Sequence, residues 1–146
     1  MAVTVQLYNH TARLIQNGSL IAGDTYKVEL LNNSATFNAT HTTKTSVDNA
    51  GAYEVSGNGW TAGGESLANV AISTVTTNDA MFDADDVSKT ASGGSIGPAY
   101  KAVILNSTDG NIPLAFIDFG AAQTAGVGTA FIIQWSASGI FSLTAA

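Results

Sequence analysis

The residues in this sequence that could do chemistry are few, and most of them are carboxylates. One acidic cluster stands out, formed by Asp79, Asp83, Asp85 and Asp86. Carboxylate oxygens are the ligands that Ca²⁺ prefers, and paired carboxylates also serve as acid and base in glycosidases. An EF-hand loop beginning at Asp83 would need glycine where Ser88 stands and glutamate where Gly94 stands. We therefore interpret the cluster as a polar strand end or turn, with Asp83, Asp85 and Asp86 as weak candidates for a metal site.

The other reactive residue types do not combine into a site. His10 and His41 lie far apart in the sequence, and neither has a histidine or glutamate at metal-ligand spacing or an obvious acidic partner for a triad. Cysteine is absent, which excludes a thiolate nucleophile and a thiolate metal site. The glycine pairs lack the phosphate-loop pattern G-x-x-x-x-G-K-[ST]. We therefore predict that the chain is not an enzyme and binds no cofactor.

Charge and composition narrow the class of partner. The 146 residues carry a net charge of −6 and only five basic residues, which are scattered along the chain. No basic stripe exists to neutralise phosphates, so neither nucleic acid nor a membrane is an expected partner. Charged residues make up 11% of the chain, against about 25% in an average soluble protein. Because such a surface has few long side chains to order on contact, it favours packing into an assembly. A secreted β-protein of the same composition is the alternative.

The elements that must position these residues are short strands. Alternating segments separated by turn residues predict one domain over residues 1–146, an all-β antiparallel sandwich of jelly-roll type, with a closed barrel as the alternative. At most one short helix is expected, near residues 10–17, and residues 35–49 are predicted to form a weak strand plus loop. The predicted strands are Val3–Tyr8, Thr25–Leu31, Tyr53–Val55, Leu67–Val75, Ala80–Val87, Tyr100–Asn106, Leu114–Phe119, Thr129–Trp135 and Gly139–Leu143.

Alternation within these strands predicts the core. In Tyr100–Asn106 both faces are apolar, with Ala102 and Ile104 on one side and Val103 and Leu105 on the other, which predicts a central strand covered on both faces. Two further core residues are expected in the next strand, at Ile117 and Phe119. In the first strand Val3, Val5 and Leu7 share one side, which predicts half-burial.

Six residues are candidates for contact with a partner. They are Val3, Val5, Leu7, Tyr8, Tyr53 and Trp60. The first four lie on the N-terminal strand, which could add to the edge of a neighbour's sheet by backbone pairing. The three aromatic residues could instead stack on sugars, although aromatic residues beside glycines are more often core residues. The N-terminus lacks a secretory signal, so the chain is expected to be made in a cytoplasm.

Several segments between Gly59 and Thr144 resemble, in consistent order, small virion structural proteins of tailed bacteriophages. The motifs are GYTAGGxxL, FDADDV, ARYAVIY, PLIGYVDFG and FTITWDAAGILTL, and the matching segments are Gly59–Leu67, Phe82–Val87, Ala99–Asn106, Pro113–Gly120 and Phe131–Leu143. The resemblance implies a jelly-roll-like β-sandwich. It also implies a role in the virion as a capsid decoration (cement) protein, a homo-oligomer bound to the major capsid protein on the outer surface of the head. Similar chains also serve as tail components, so the alternative is a tail or fibre protein that binds host glycans.

Overall fold

The computed structural model describes residues 3–74 and 79–144, and this part of the chain contains eleven strands and two short helices. The strands are β1 (Thr4–Leu7), β2 (Tyr26–Leu31), β3 (Glu54–Val55), β4 (Glu65–Ser66), β5 (Ala71–Thr74), β6 (Asp79–Asp83), β7 (Val87–Thr90), β8 (Ile96–Asn106), β9 (Ile112–Ala125), β10 (Ala130–Ile133) and β11 (Phe141–Thr144). The helices are α1 (Asn9–Gln16) and α2 (Lys44–Asp48).

The strands form one large and two small antiparallel sheets. The large sheet has the order β1-β9-β8-β2-β3, and β4 also pairs with β2. The small sheets have the orders β11-β6-β5 and β10-β7. Every pairing among the described strands is antiparallel. The predicted all-β, sandwich-like fold is therefore confirmed, and the jelly-roll connectivity stays a prediction.

The long strands β8 and β9 form the centre of the large sheet. Their register pairs Val103 with Phe116 and Ile104 with Ala115. Ile104 faces the main core, whereas Val103 faces a second core on the opposite side of the sheet, and both side chains are fully buried. This confirms the predicted two-sided burial of β8, since a strand that is apolar on both faces needs a covering layer on each.

The main core lies between the large sheet and the two small ones. Ile117 and Phe119 belong to it, as predicted. Two edge-to-face aromatic pairs link the layers: Tyr26 with Phe82 at 4.9 Å, and Trp60 with Phe131 at 5.5 Å between ring centroids. Each such buried side chain stabilises the fold by about 1.5–3 kcal/mol.

The second core lies on the other face of the large sheet, under α2 and its flanking loops. Its buried members are Tyr8, Leu31, Ala35, Val47, Val103, Leu105 and Phe116. The helix that helps to cover it was not predicted, so the prediction of at most one helix is wrong. Its start is fixed by Thr43, whose side chain accepts a hydrogen bond from the Ser46 N–H, and its end by Asn49 in the left-handed conformation.

Helix α1 lies where the sequence predicts it, between Tyr8 and Gly18. No side chain caps its first turn. Thr11, in the first turn, donates its hydroxyl to the Leu114 carbonyl at 2.7 Å, which holds the helix against β9. Gly18 follows the helix with φ 74, a conformation that glycine adopts without strain.

Several predicted strand bounds are wrong. The predicted strand Leu67–Val75 is a strand only from Ala71, and residue 75 lies outside the described residues. The predicted strand Ala80–Val87 is interrupted at residues 84–86, where the Asp86 side chain and the Asp85 carbonyl accept hydrogen bonds from Trp135. Strand β9 runs past Phe119 to Ala125, and this extension pairs with the start of β8.

Candidate functional site

Strand β1 exposes an apolar face at the edge of the large sheet. Its register places Val5 opposite Ile117 and Leu7 opposite Ala115, so these side chains point to the main-core side. The facing layer stops short of β1, however: Val3 is 59% exposed, Val5 43% and Leu7 36%. The strand is therefore confirmed, but its predicted half-burial is wrong because nothing in the described chain covers this edge.

An open groove of about 810 Å³ continues from this face between β1, β9 and β10. Val3 and Val5 form one wall, and Ile117 and Phe119 contribute from β9. The other described lining residues are Gln123, Thr124, Ala125, Ala130, Phe131, Ile132, Ile133, Gln134, Trp135, Ser136, Gly139 and Ile140. None of the described lining residues is charged, so the groove suits an uncharged occupant.

The groove is bounded by the backbone of strand edges as well as by side chains. Consecutive residues from Ala130 to Ser136 line it, so β10 meets it edge-on. Within residues 3–74 and 79–144, β10 pairs only with β7, and β1 pairs only with β9. Each of these strands thus has a row of N–H and C=O groups unpaired by a further strand. An extended segment in the groove could form backbone hydrogen bonds as well as apolar contacts.

The six candidate contact residues do not all reach this surface. Val3, Val5 and Leu7 lie together on it. Tyr8 is 1% exposed and packs against Phe37 in the second core, with burial raising the pKa of its hydroxyl.

The other two aromatic candidates also belong to the two cores. Trp60 is 2% exposed in the main core, and Tyr53 is half-buried at the edge of the second. The prediction that Tyr8 and Trp60 are contact residues is therefore wrong, since their rings fill the cores.

Sequence reasoning missed two residues of the groove, Ile132 and Trp135. Ile132 is 61% exposed because it alternates with the buried Phe131 and Ile133. Trp135 is half-buried, and its indole N–H donates to the Asp85 carbonyl at 3.0 Å. Alternation puts Trp135 on the same face as Phe131 and Ile133, and only the fold shows that it lines the groove.

The predicted metal candidates serve local structure. Asp86 accepts a hydrogen bond from the Trp135 N–H, and Asp85 accepts one from the Asn69 side chain. Asp83 lies at the end of β6. Among the described residues these three carboxylates do not converge on one point, so the weak metal prediction for Asp83, Asp85 and Asp86 gains no support from the geometry.

A different acidic cluster does converge, and its members are too far apart in the sequence to be recognised there. The carboxylate oxygens of Glu29, Asp48 and Glu54 lie within 4.8 Å of one another, in the range of a metal site. The Lys44 ammonium lies among them, 2.8 Å from Glu29 Oε2, in contact with Asp48 Oδ2 and 3.7 Å from Glu54 Oε2. We name these four residues the Lys44 cluster. Glu29 is 0% and Asp48 1% exposed, which is rare for carboxylates.

The electrostatics of the Lys44 cluster follow from burial and crowding. Burial raises the pKa of Glu29 to about 7, and the hydrogen bond and charge of Lys44 only partly offset it. Burial by itself would lower the pKa of Lys44, but its hydrogen bonds to Asp48 and Glu29 outweigh burial and raise it. Glu29 Oε1 and Asp48 Oδ1 have no hydrogen-bond partner among the described residues.

Within the described parts of the chain, His10 and the segment around Ser95 take part in structural hydrogen bonds. His10 Nε2 hydrogen-bonds the Pro113 carbonyl. Gly93-Gly94-Ser95-Ile96-Gly97 has the letters of a G-x-S-x-G nucleophile elbow, but Ser95 leads into β8 rather than into a helix. The Ser95 carbonyl instead accepts a hydrogen bond from the Asn58 side chain at 2.8 Å, which joins two turns.

In comparisons with known proteins, the chain matches no protein-family model, no curated protein and no solved structure. Neither helix in the described part of the chain has the length and hydropathy needed to span a bilayer.

Proposed function

We propose that this chain is a non-enzymatic structural protein of a phage particle, a capsid decoration or cement subunit. In this proposal it binds the major capsid protein on the outer surface of the head, alongside further copies of itself. The observation that carries the proposal is the exposed apolar face of β1 beside an uncharged groove of about 810 Å³. Exposed apolar side chains that adjoin a groove are typical of protein contact sites.

The mode of contact follows from the strand edges. A segment from the shell that adds to β10 or β1 would gain backbone hydrogen bonds along its length, while alternate side chains enter the groove between Val5 and Ile133. Because a shell presents many equivalent sites, modest contacts can act together in holding neighbouring subunits. The net charge of −6 keeps the free subunit soluble before it assembles.

The alternative, a tail or fibre component that binds glycans, was based on Tyr8, Tyr53 and Trp60 as residues that stack on sugars. Tyr8 and Trp60 are buried, so their rings offer no open face on which a sugar could stack, and the Tyr53 ring is half-buried. The uncharged groove lies beside the unpaired edges of β1 and β10, which suits an extended protein segment. We therefore retain the proposal of a capsid decoration protein.

The test is co-sedimentation of the purified chain with phage heads prepared without it. The wild-type chain is expected to bind at one copy, or a fixed small number of copies, per capsid subunit. Val5→Asp places a charge in the groove and is expected to abolish binding. Gln6→Asp makes a comparable change on the opposite face of the same exposed strand and is expected to bind as the wild type does.

Three results would overturn the proposal. They are failure of the folded wild-type chain to bind heads, equal loss of binding in Val5→Asp and Gln6→Asp, and specific hits on a glycan array. Circular dichroism and thermal unfolding establish that both variants are folded. Because the two substitutions lie on one exposed strand, a general loss of stability would affect both, whereas a groove contact affects only one.

A further inference from the structure

We propose that Lys44 and Asp48 become joined by an intramolecular isopeptide (amide) bond, with the buried Glu29 carboxyl group carrying the proton. This inference is independent of the proposed function. It starts from the fact that the Lys44 cluster places an amine, a carboxylate and a second, proton-carrying carboxylate in mutual contact on the second-core side of the sheet.

The geometry supplies the reacting pair. Lys44 and Asp48 are four residues apart on α2, a spacing that puts two side chains on the same face of a helix. Lys44 Nζ contacts Asp48 Oδ2 and lies 2.8 Å from Glu29 Oε2. That distance is within the reach of about 2.6–3.2 Å that a general base needs. Glu54 Oε2, at 3.7 Å, completes the surroundings of the amine.

The surroundings favour the linked product. Asp48 and Glu29 are almost completely buried, and Glu29 lies directly opposite Val103 in the β2–β8 register, beside the second core. Keeping a cation and an anion in such a place is costly even when they are paired. Formation of an amide removes the charges of this pair from the site, and Glu29 can stay neutral beside the product because burial raises its pKa to about 7.

The step balances with no added reagent. The Lys44 ammonium passes a proton to the Glu29 carboxylate, and the neutral amine attacks Cγ of Asp48. The Nζ–Cγ bond forms and the Cγ–Oδ2 bond breaks. Glu29 returns its proton to the departing oxygen, which leaves as water with the second proton lost by nitrogen. The reactants carry one positive and one negative charge, and the products are a neutral amide and one water molecule.

Glu29 is suited to this role because burial raises its pKa to about 7, so it can both accept and return a proton near neutral pH. The same cluster raises the pKa of Lys44, so the resting amine is protonated and depends on Glu29 for deprotonation. Because each molecule forms this amide only once, a slow reaction is sufficient.

The test is the intact mass of the purified full chain. We expect the wild-type mass to be lower than the sequence mass by one water molecule. Trypsin should fail to cleave after Lys44, so residues 28–44 and 45–89 should stay together in one peptide. Lys44→Arg keeps the positive charge but cannot form the amide, and it should show the full sequence mass and cleavage at position 44. Glu29→Gln should fold and also keep the full mass.

The chain offers a matched control in its other buried-acid ion pair. Lys89 Nζ lies 2.8 Å from Glu65 Oε2, but Lys89 is 42% exposed, so Lys89→Arg should leave the loss of water unchanged. A wild-type chain at full sequence mass after prolonged incubation overturns the proposal. So does a loss of water that persists in Lys44→Arg, since dehydration at Asp109-Gly110 would give the same mass. If Glu29→Gln does not fold, Lys44→Arg and the peptide map still decide.

Discussion

The two ends of the large sheet distribute their side chains in opposite ways. At the β1 end apolar side chains are exposed, and no charged residue lines the adjoining groove among the described residues. At the end formed by β2, β3 and β4, three glutamates are buried or half-buried, and two of them meet Lys44. Ordinary soluble domains do the reverse, with apolar groups inside and charges outside.

The two ends of the sheet differ in how far the chain itself completes them. At the charged end the chain supplies partners for its own carboxylates, since Lys44 lies at ion-pair distance from Glu29 before any amide forms and the Gly63 N–H donates to Glu54 at 2.6 Å. The apolar end has no such covering, and Val3 and Val5 remain open to solvent. The charged end therefore serves the stability of the subunit, and the apolar end is the surface available to a partner. The predictions below test this division.

The largest effect is expected from removing Lys44 from the charged end, which takes away both its ammonium group and the proposed amide. Lys44→Met leaves the Glu29, Asp48 and Glu54 carboxylates crowded together, with neither the Lys44 counter-charge nor the Lys44–Asp48 amide. We expect the free energy of unfolding to fall by about 3–5 kcal/mol, as measured by urea denaturation. Adding Glu29→Gln and Asp48→Asn to Lys44→Met should recover part of this loss. A loss below about 1 kcal/mol would place the cluster among weak surface pairs.

The same end can be disturbed through its backbone at Gly64. A Cβ added there would lie 2.7 Å from the Val28 carbonyl oxygen, and the residue has φ +95. We expect Gly64→Ala to lower the free energy of unfolding by about 2–4 kcal/mol, through strain and overpacking against β2. Gly63→Ala is the matched control. Gly63 has φ +81 with nothing within 4 Å of the added Cβ, so only the strain of about 1 kcal/mol remains. Equal losses would contradict the close contact.

The sequence predicted the centre of the sheet well because the signal there is local. Strand β8 is apolar on both faces over consecutive residues, and the covering layers that this demands are present. Alternation likewise placed Ile117 and Phe119 in the core, because a strand in the middle of a sheet is covered wherever it is apolar. The same reasoning identified the apolar face of β1. It assumed, however, that a second layer covers this face, and the facing layer does not reach β1.

The Lys44 cluster was harder to predict because its residues come from distant segments of the chain. Glu29, Lys44 and Glu54 stand on β2, α2 and β3, and nothing near Glu29 in the sequence marks it as buried. A charge in a strand that alternates with apolar residues normally indicates the solvent face. The visible acidic run around Asp85 proved to be local hydrogen bonding, since short-range clustering of aspartates is typical of turns.

The division between the ends can be sharpened with one pair of valines. Val103→Ala removes buried methyl groups from the second core and is expected to cost about 2–3 kcal/mol of unfolding free energy. Val5→Ala removes the same groups from a side chain that is 43% exposed and is expected to cost less than about 0.5 kcal/mol. In the head-binding assay the order should reverse, with the folded Val103→Ala chain binding normally and Val5→Ala binding more weakly. The same order in both assays would mean that β1 matters only for folding.

The smallest effect is expected at the half-exposed ion pair of β4. Burial would raise the pKa of Glu65, but hydrogen bonds from Lys89 and the Thr61 N–H outweigh it and lower the pKa. An acid with a lowered pKa in the folded state gives stability that is present above its unfolded pKa and is lost as the pH falls through the folded pKa. Since Lys89 is 42% exposed, the contribution should stay below about 1 kcal/mol.

The measurement for this pair is the free energy of unfolding of the wild type and Glu65→Gln between neutral pH and about pH 3. The stability advantage of the wild type should shrink as the pH falls. Lys89→Met should remove most of the same advantage, and the double variant should lose little more than either single one. A pH-independent difference would mean that Glu65 acts through its hydrogen bond to Thr61 rather than through its charge. In that case the buried charges of this end would be confined to the Lys44 cluster, and the contrast with the uncharged β1 end would rest on that cluster alone.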